Sequence, residues 1–220
     1  MRQNNRTIYR FADNMHIKTC PILLLNGKLS QNLKKSNFLF QLKFQNLCEK
    51  MIQTVCIDIS GLDMNRNPIG IAKCHYLNLN LKRDDKCIRE TPLFLPDLQI
   101  QTAAIRIHKV VFSDYSVWKD HKNPVEQFPI LKPLTSVLPE QHLREQYYRA
   151  CSSLSDTSHN AYALHEFFDF WTCTCGSINW NNEKECHTCG KPKKWIQMNL
   201  EKKNLQKCYD AYLYEKQESP

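Results

Sequence analysis

At 220 residues with 42% hydrophobic side chains, the chain can bury a sizeable core as one large domain or two small ones, which excludes disorder throughout. Its formal net charge is +8, and the placement of that charge is more telling than its size. Residues 1–50 carry nine Lys and Arg against two Asp and Glu, residues 51–170 carry 13 against 14, and residues 171–220 carry eight against six. The excess therefore sits toward the N-terminus, as a solvated basic tail or as a contact for nucleic acid or an anionic membrane.

The N-terminus lacks the apolar stretch of a secretory signal, and no apolar run approaches the length that spans a bilayer. Of the eleven cysteines, four gather in one stretch. The remaining seven, at irregular spacings, do not form a disulfide framework. A reducing, cytoplasmic compartment with no membrane partner is expected, the scattered cysteines serving as small apolar fillers.

In chain order, residues 1–20 are polar, basic and without a sustained period, so they read as a tail. Ile22 to Leu25 is a short apolar run closed by the turn dipeptide Asn26-Gly27, after which Lys28-Leu29-Ser30 pairs back. Phe38 to Asn46 alternates, with Phe40, Leu42 and Phe44 on one face, and Met51 to Ile59 repeats the pattern with Val55, Ile57 and Ile59. Ser60 to Gly70 is a turn by composition. Ile71 to Leu81 reads as a strand with His75, Leu77, Leu79 and Leu81 on one side. Thr91 to Leu95, held between Pro92 and Pro96, suits a sheet edge. Ala103 to Phe112 is a long β-branched strand, and Phe112 to Trp118 turns into a short final one. Short strands at intervals of about ten residues, without intervening helices, predict an antiparallel β-sandwich over 21–120.

These segments resemble a group of largely uncharacterised bacterial proteins in which an immunoglobulin-like β-sandwich precedes a zinc ribbon. The resemblance rests on Phe40 to Phe44 with Asn46, on Tyr76-Leu77 and Leu79, on Thr91 to Asp97, and on Val110 to Trp118, and it spans about residues 21–190. Tyr115 stands where such proteins usually carry Gly, and their glycine-containing turn near Asp84 to Ile88 is missing.

Residues 121–168 read as a proline-punctuated linker with one helix from about Pro139 to Ser152, where Leu143, Tyr147 and Cys151 recur at i, i+4 and i+8. Residues 196–220 form a closing helix with Leu205, Cys208, Tyr209, Tyr212 and Leu213 in a stripe. Between them, over 169–195, Cys173 and Cys175 form one close pair and Cys186 and Cys189 another, with Gly176 and Gly190 directly after each pair. This is the pattern of a zinc ribbon. Four thiolates close a tetrahedral Zn²⁺ shell and leave no position for a reactive water, so the site reads as structural. His187, inside the second pair, is the alternative ligand.

The ribbon resembles the zinc finger of the Ran-binding-protein type in the order and spacing of Trp171, Cys173, Cys175, Asn179, Cys186 and Cys189, except that one residue, Thr174, separates the first two cysteines. Fingers of that type that read single-stranded RNA stack bases on a Trp beside arginines. Here Trp180 is retained, but Asn182 and Glu183 occupy the arginine positions. The Thr-Phe pair of the ubiquitin-binding members is Gly176-Ser177. Trp180 is either a stacking platform or a cover for the ribbon's own small core.

No nucleotide-binding loop, nucleophile elbow or metalloprotease motif is present. Cys74, His75 and Cys87 would be a conceivable nucleophile and base, but adjacent strand residues point to opposite faces. His159 and His165 flank the ribbon as lone histidines. The sequence thus predicts a non-catalytic zinc-binding protein, an interaction module for an unidentified protein partner. The alternative is a binder of single-stranded RNA or DNA through the basic N-terminal segment and Trp180, Lys184, Lys191, Lys193 and Lys194.

Overall fold

The computed structural model describes residues 5–32, 37–94, 99–152 and 161–218. The chain is mainly β, its sheets are antiparallel, and it divides into two units, Met1–Pro129 and Ile130–Pro220.

The first unit contains β1 (Asn5–Arg10), β2 (Met15–Ile17), β3 (Ile22–Asn32), β4 (Asn37–Asn46), β5 (Ile52–Leu62), β6 (Pro68–Tyr76), β7 (Lys86–Leu93), β8 (Thr102–Phe112), β9 (Val117–Lys119) and β10 (Val125–Gln127). One sheet has the order β10-β2-β3-β4-β7, with β1 also paired to β3, and the other runs β6-β5-β8-β9. Alternation along much of β4, β5 and β8 aims one face of each sheet inward. Phe38, Phe40, Leu42 and Phe44 of β4 meet Val55, Ile57 and Ile59 of β5 and Ile105, Ile107 and Val110 of β8 in a single apolar cluster. The two sheets thus form a sandwich around a shared core, in which each fully buried Phe or Ile contributes about 1.5–3 kcal/mol.

Three local expectations are corrected. Residues 5–10 are not a loose tail but a strand paired to β3, with the Tyr9 ring packed edge-on against Phe11. The exposed edge of β3 specifies this strand, not a periodicity of its own. Asn26-Gly27 is not a hairpin turn. β3 pairs with β4 along its whole length, and a register shift between Leu24 and Asn26 absorbs the extra residue as a bulge. Gly27 lies there because a Cβ would come within 3.2 Å of the Gln41 carbonyl, Leu42 and Phe11.

The third correction concerns β6, which ends at Tyr76 and not at Leu81, with Cys74 and Tyr76 buried and His75 and Leu77 outside. Beyond it, Asn78 and Asn80 adopt φ of +52° and +51°, a conformation Asn tolerates better than most residues. The redirected chain brings Leu79 and Leu81 into the core. β7 is an edge strand, as Pro92 requires.

The second unit begins within the expected linker, while β10 belongs to the first. It holds α1 (Leu134–Val137), α2 (Gln141–Ser152), β11 (His165–Phe167), β12 (Phe170–Thr172), β13 (Ile178–Trp180), α3 (Lys193–Leu200) and α4 (Lys202–Glu218). The expected stripe of α2 is buried: Leu143, Tyr147 and Cys151 pack with Leu134, Leu138 and Leu205. The single closing helix is instead two, broken at Glu201. Of its expected stripe, Leu205 is buried and Cys208 is exposed, while Tyr212 lies 3.7 Å beneath the Arg149 guanidinium. Among the described residues no helix is long and apolar enough to cross a membrane.

Candidate metal centre

The three strands β11, β12 and β13 form a small antiparallel sheet, and the four cysteines lie in the turns that follow its strands. Cys173 and Cys175 come directly after β12, and the Cys173 carbonyl accepts a bond from Gly176 N–H at 2.9 Å while Cys173 N–H donates to the Ser177 carbonyl at 2.9 Å. This tight knuckle needs the φ of +94° that Gly176 supplies. The second knuckle is built alike, with Gly190 N–H donating to the Cys186 carbonyl at 2.8 Å and Cys186 N–H to the Lys191 carbonyl at 2.9 Å.

These turns bring the four sulfurs within 4.8 Å of one another. Cys173 and Cys189 are 3.5 Å apart and Cys175 and Cys186 3.6 Å. A tetrahedron with metal–sulfur bonds of about 2.3 Å has edges of about 3.8 Å, so the cluster is already near the size a metal requires. Cys173 and Cys186 are buried, and Cys175 and Cys189 half-buried. Burial pushes the Cys189 thiol up to about 12, and the charges of Cys175 and Cys186 act in the same direction. Cys173 is raised too, while hydrogen bonds from Cys173 and Cys175 hold Cys186 down, and a bound cation offsets the repulsion among thiolates.

Asn179, fully buried, ties the knuckles together. Its Oδ1 accepts from the His187 backbone N–H at 3.0 Å and lies 2.7 Å from His187 Nδ1, and its Nδ2 donates to the Ser177 carbonyl at 3.2 Å. His187 is thus turned onto Asn179, and the metal-sized group consists of the four cysteines without it. Beneath the sulfurs, Trp171, at 0% exposure, packs with Cys173, Cys186 and Ile196, and its indole N–H donates to the Glu183 carbonyl.

Sequence reasoning missed two members of this setting. Thr174 is also fully buried, and its hydroxyl is 3.0 Å from that of Tyr147 on α2. The single-residue gap between the first two cysteines is therefore filled by a side chain aimed at a helix. Thr174 was visible in the motif as an unusual spacing. Tyr147, 27 positions away, carried only the signal of a helical stripe.

The residues named for a nucleic-acid contact differ in exposure, although the Lys193 N–H donates to the Lys184 carbonyl at 2.8 Å. Trp180 is half-buried with its ring centroid 4.3 Å from that of Phe170, a packing that covers the ribbon core. Lys191 is 1% exposed. Lys193 pairs with Glu166 at 2.8 Å and lies near the Trp171 ring. Lys184 and Lys194 are exposed. Elsewhere, Cys74 and His75 of β6 face opposite ways, and burial raises the thiols of Cys74 and Cys87. His165 lies on β11 beside Phe167, and His159 falls outside the described residues. No known protein family, curated protein or solved structure matches the chain.

Proposed function

We propose that the four cysteines hold one structural Zn²⁺ and that the protein is a non-catalytic interaction module, in which an immunoglobulin-like sandwich precedes a zinc-stiffened ribbon. The observation that carries this reading is the closed set of four sulfurs within 4.8 Å of one another, which offers a metal four soft ligands and leaves no open position for substrate. Zinc suits such a set because it accepts tetrahedral thiolate coordination and has no redox chemistry of its own. The strand orders β3-β4-β7 and β6-β5-β8-β9, with crossings between the sheets after β4, β6, β7 and β9, support the immunoglobulin-like assignment.

A partner-facing role is supported by the β11–β12 hairpin. Its turn residue Phe168 is 61% exposed and holds φ at +39°, a costly placement for an aromatic residue that has no core to fill. Elemental analysis of the purified chain tests the metal: one zinc per chain is expected in the wild type and none in Cys186→Ser, with the first unit still folded. Full zinc retention in Cys186→Ser excludes the ligand set. For the module reading, a protein that co-purifies with the wild-type chain is expected to be lost from Phe168→Ala. Equal recovery with both removes the hairpin from the contact.

A further inference from the structure

The whole of the net charge belongs to the first unit, which has 19 Lys and Arg against 11 Asp and Glu, whereas the second has 11 against 11. On the β6-β5-β8-β9 sheet the inward residues are apolar, and strand alternation therefore turns their neighbours outward. The registers place His75 opposite Cys56, Cys56 opposite Lys109 and Lys109 opposite Lys119, which makes one row across all four strands. A second row joins Lys73, Asp58 and Arg106.

Two like charges directly opposite on paired strands destabilise a sheet, yet Lys109 and Lys119 are such a pair. The acids nearby do not relieve them. Asp120 is engaged by Arg106, and Asp58 faces His108 at 3.4 Å. Among the described residues Lys73, Lys109 and Lys119 make no ion pair. The opposite sheet carries a like-charge pair of its own, Arg10 opposite Lys28, in a row that continues through Gln41 to Glu90, which accepts a bond from Gln41.

We propose that the outer face of the β6-β5-β8-β9 sheet binds the phosphate backbone of a nucleic-acid duplex, without reading its sequence. The lysines and His75 offer donors to phosphate across a row of about 14 Å, at about 4.8 Å per strand. No Phe, Tyr or Trp stands in the two rows to stack an unpaired base. The exposed apolar residues Ile71 and Val117 stand singly, and the cavity of about 460 Å³ that Asp58 and Arg106 help to line has none of Lys73, His75, Lys109 or Lys119 in its wall, so a uniformly charged backbone fits the lysines better than an acidic peptide. This inference does not depend on the zinc reading.

The test is fluorescence anisotropy of the full chain with a labelled duplex of about 20 base pairs, where three phosphate contacts weaken binding about fortyfold between 50 and 200 mM salt. The triple variant Lys73→Gln/Lys109→Gln/Lys119→Gln is expected to lose at least about tenfold in affinity at the lower salt, and most of that salt dependence with it. Lys73 and Lys119 are exposed and Lys109 half-buried, and removing the Lys109–Lys119 repulsion leaves Tm unchanged or higher, which a thermal melt verifies. Arg10→Gln/Lys28→Gln/Lys43→Gln on the other sheet is expected to cost less. The proposal is overturned if the wild type shows no salt-dependent binding, if the first triple variant binds like the wild type, if the second loses as much as the first, or if polyglutamate competes as well as unlabelled duplex.

Discussion

The hydroxyls of Tyr147 and Thr174 lie 3.0 Å apart in a fully buried setting, joining helix α2 to the one residue between the first two cysteines. Burial raises the Tyr147 pKa far above that of an ordinary phenol, so the group stays protonated and the bond persists across the working pH range. Tyr147→Phe leaves Thr174 Oγ1 without this partner, and the expected cost to the second unit is about 1–3 kcal/mol. Adding Thr174→Val, which removes the hydroxyl on the other side of this bond, is expected to recover part of that loss. Chemical denaturation of the metal-loaded single and double variants measures both. A double variant no more stable than Tyr147→Phe would place the loss in packing instead.

Asn179 is not a ligand, yet it fixes both knuckles through His187 and Ser177. Asn179→Ala is expected to weaken metal binding about 10–100-fold, the usual cost of losing an outer partner. Competition with a chromophoric chelator reads this directly. In the same assay His187→Ala should still hold one metal per chain, because its ring is turned to Asn179 and away from the sulfurs.

Tyr115, at the β8–β9 turn, combines φ of +64° with 88% exposure. It carries the conformational cost of a left-handed residue and gains little from burial. Tyr115→Gly removes that cost while loosening the unfolded chain, and a net gain of about 0.5–1 kcal/mol is expected. Urea denaturation of the first unit checks it, and a loss of stability would show that the ring contributes contacts of its own.

Acid should weaken the first unit in a defined window. Burial pushes the Asp120 carboxyl up, but the hydrogen bonds from Arg106 and Asn123 outweigh it and hold the group below its ordinary value. The Lys50 ammonium, with Ser116, depresses Asp114 further. A depressed carboxylate contributes stability that is complete above its unfolded pKa near 4 and disappears as pH falls through the folded value. Stability of the first unit should therefore be flat near neutrality and decline below about pH 4. Asp120→Asn is expected to lower stability at pH 7 and to flatten the acid limb, which denaturation midpoints from pH 7 to pH 3 would reveal.

The sequence alone determined those features whose physics is local. Alternation in Phe38 to Asn46, Met51 to Ile59 and Ala103 to Phe112 specified strands and their buried faces, because a period of two leaves no other way to bury one side. The spacing of Cys173, Cys175, Cys186 and Cys189 specified a metal-sized cluster, because two short knuckles converge on one point. Only the tertiary structure decided the rest. Asn5–Arg10 becomes a strand through the free edge of β3, Asn26-Gly27 becomes a bulge because β4 offers a continuous ladder, and Asn78 and Asn80 bend a strand to bring Leu79 and Leu81 to a core supplied by other segments. The meeting of Tyr147 with Thr174, and of Lys109 with Lys119, depends likewise on pairings between distant parts of the chain. No local propensity encodes such a contact, since its energy exists only once both partners have been brought together.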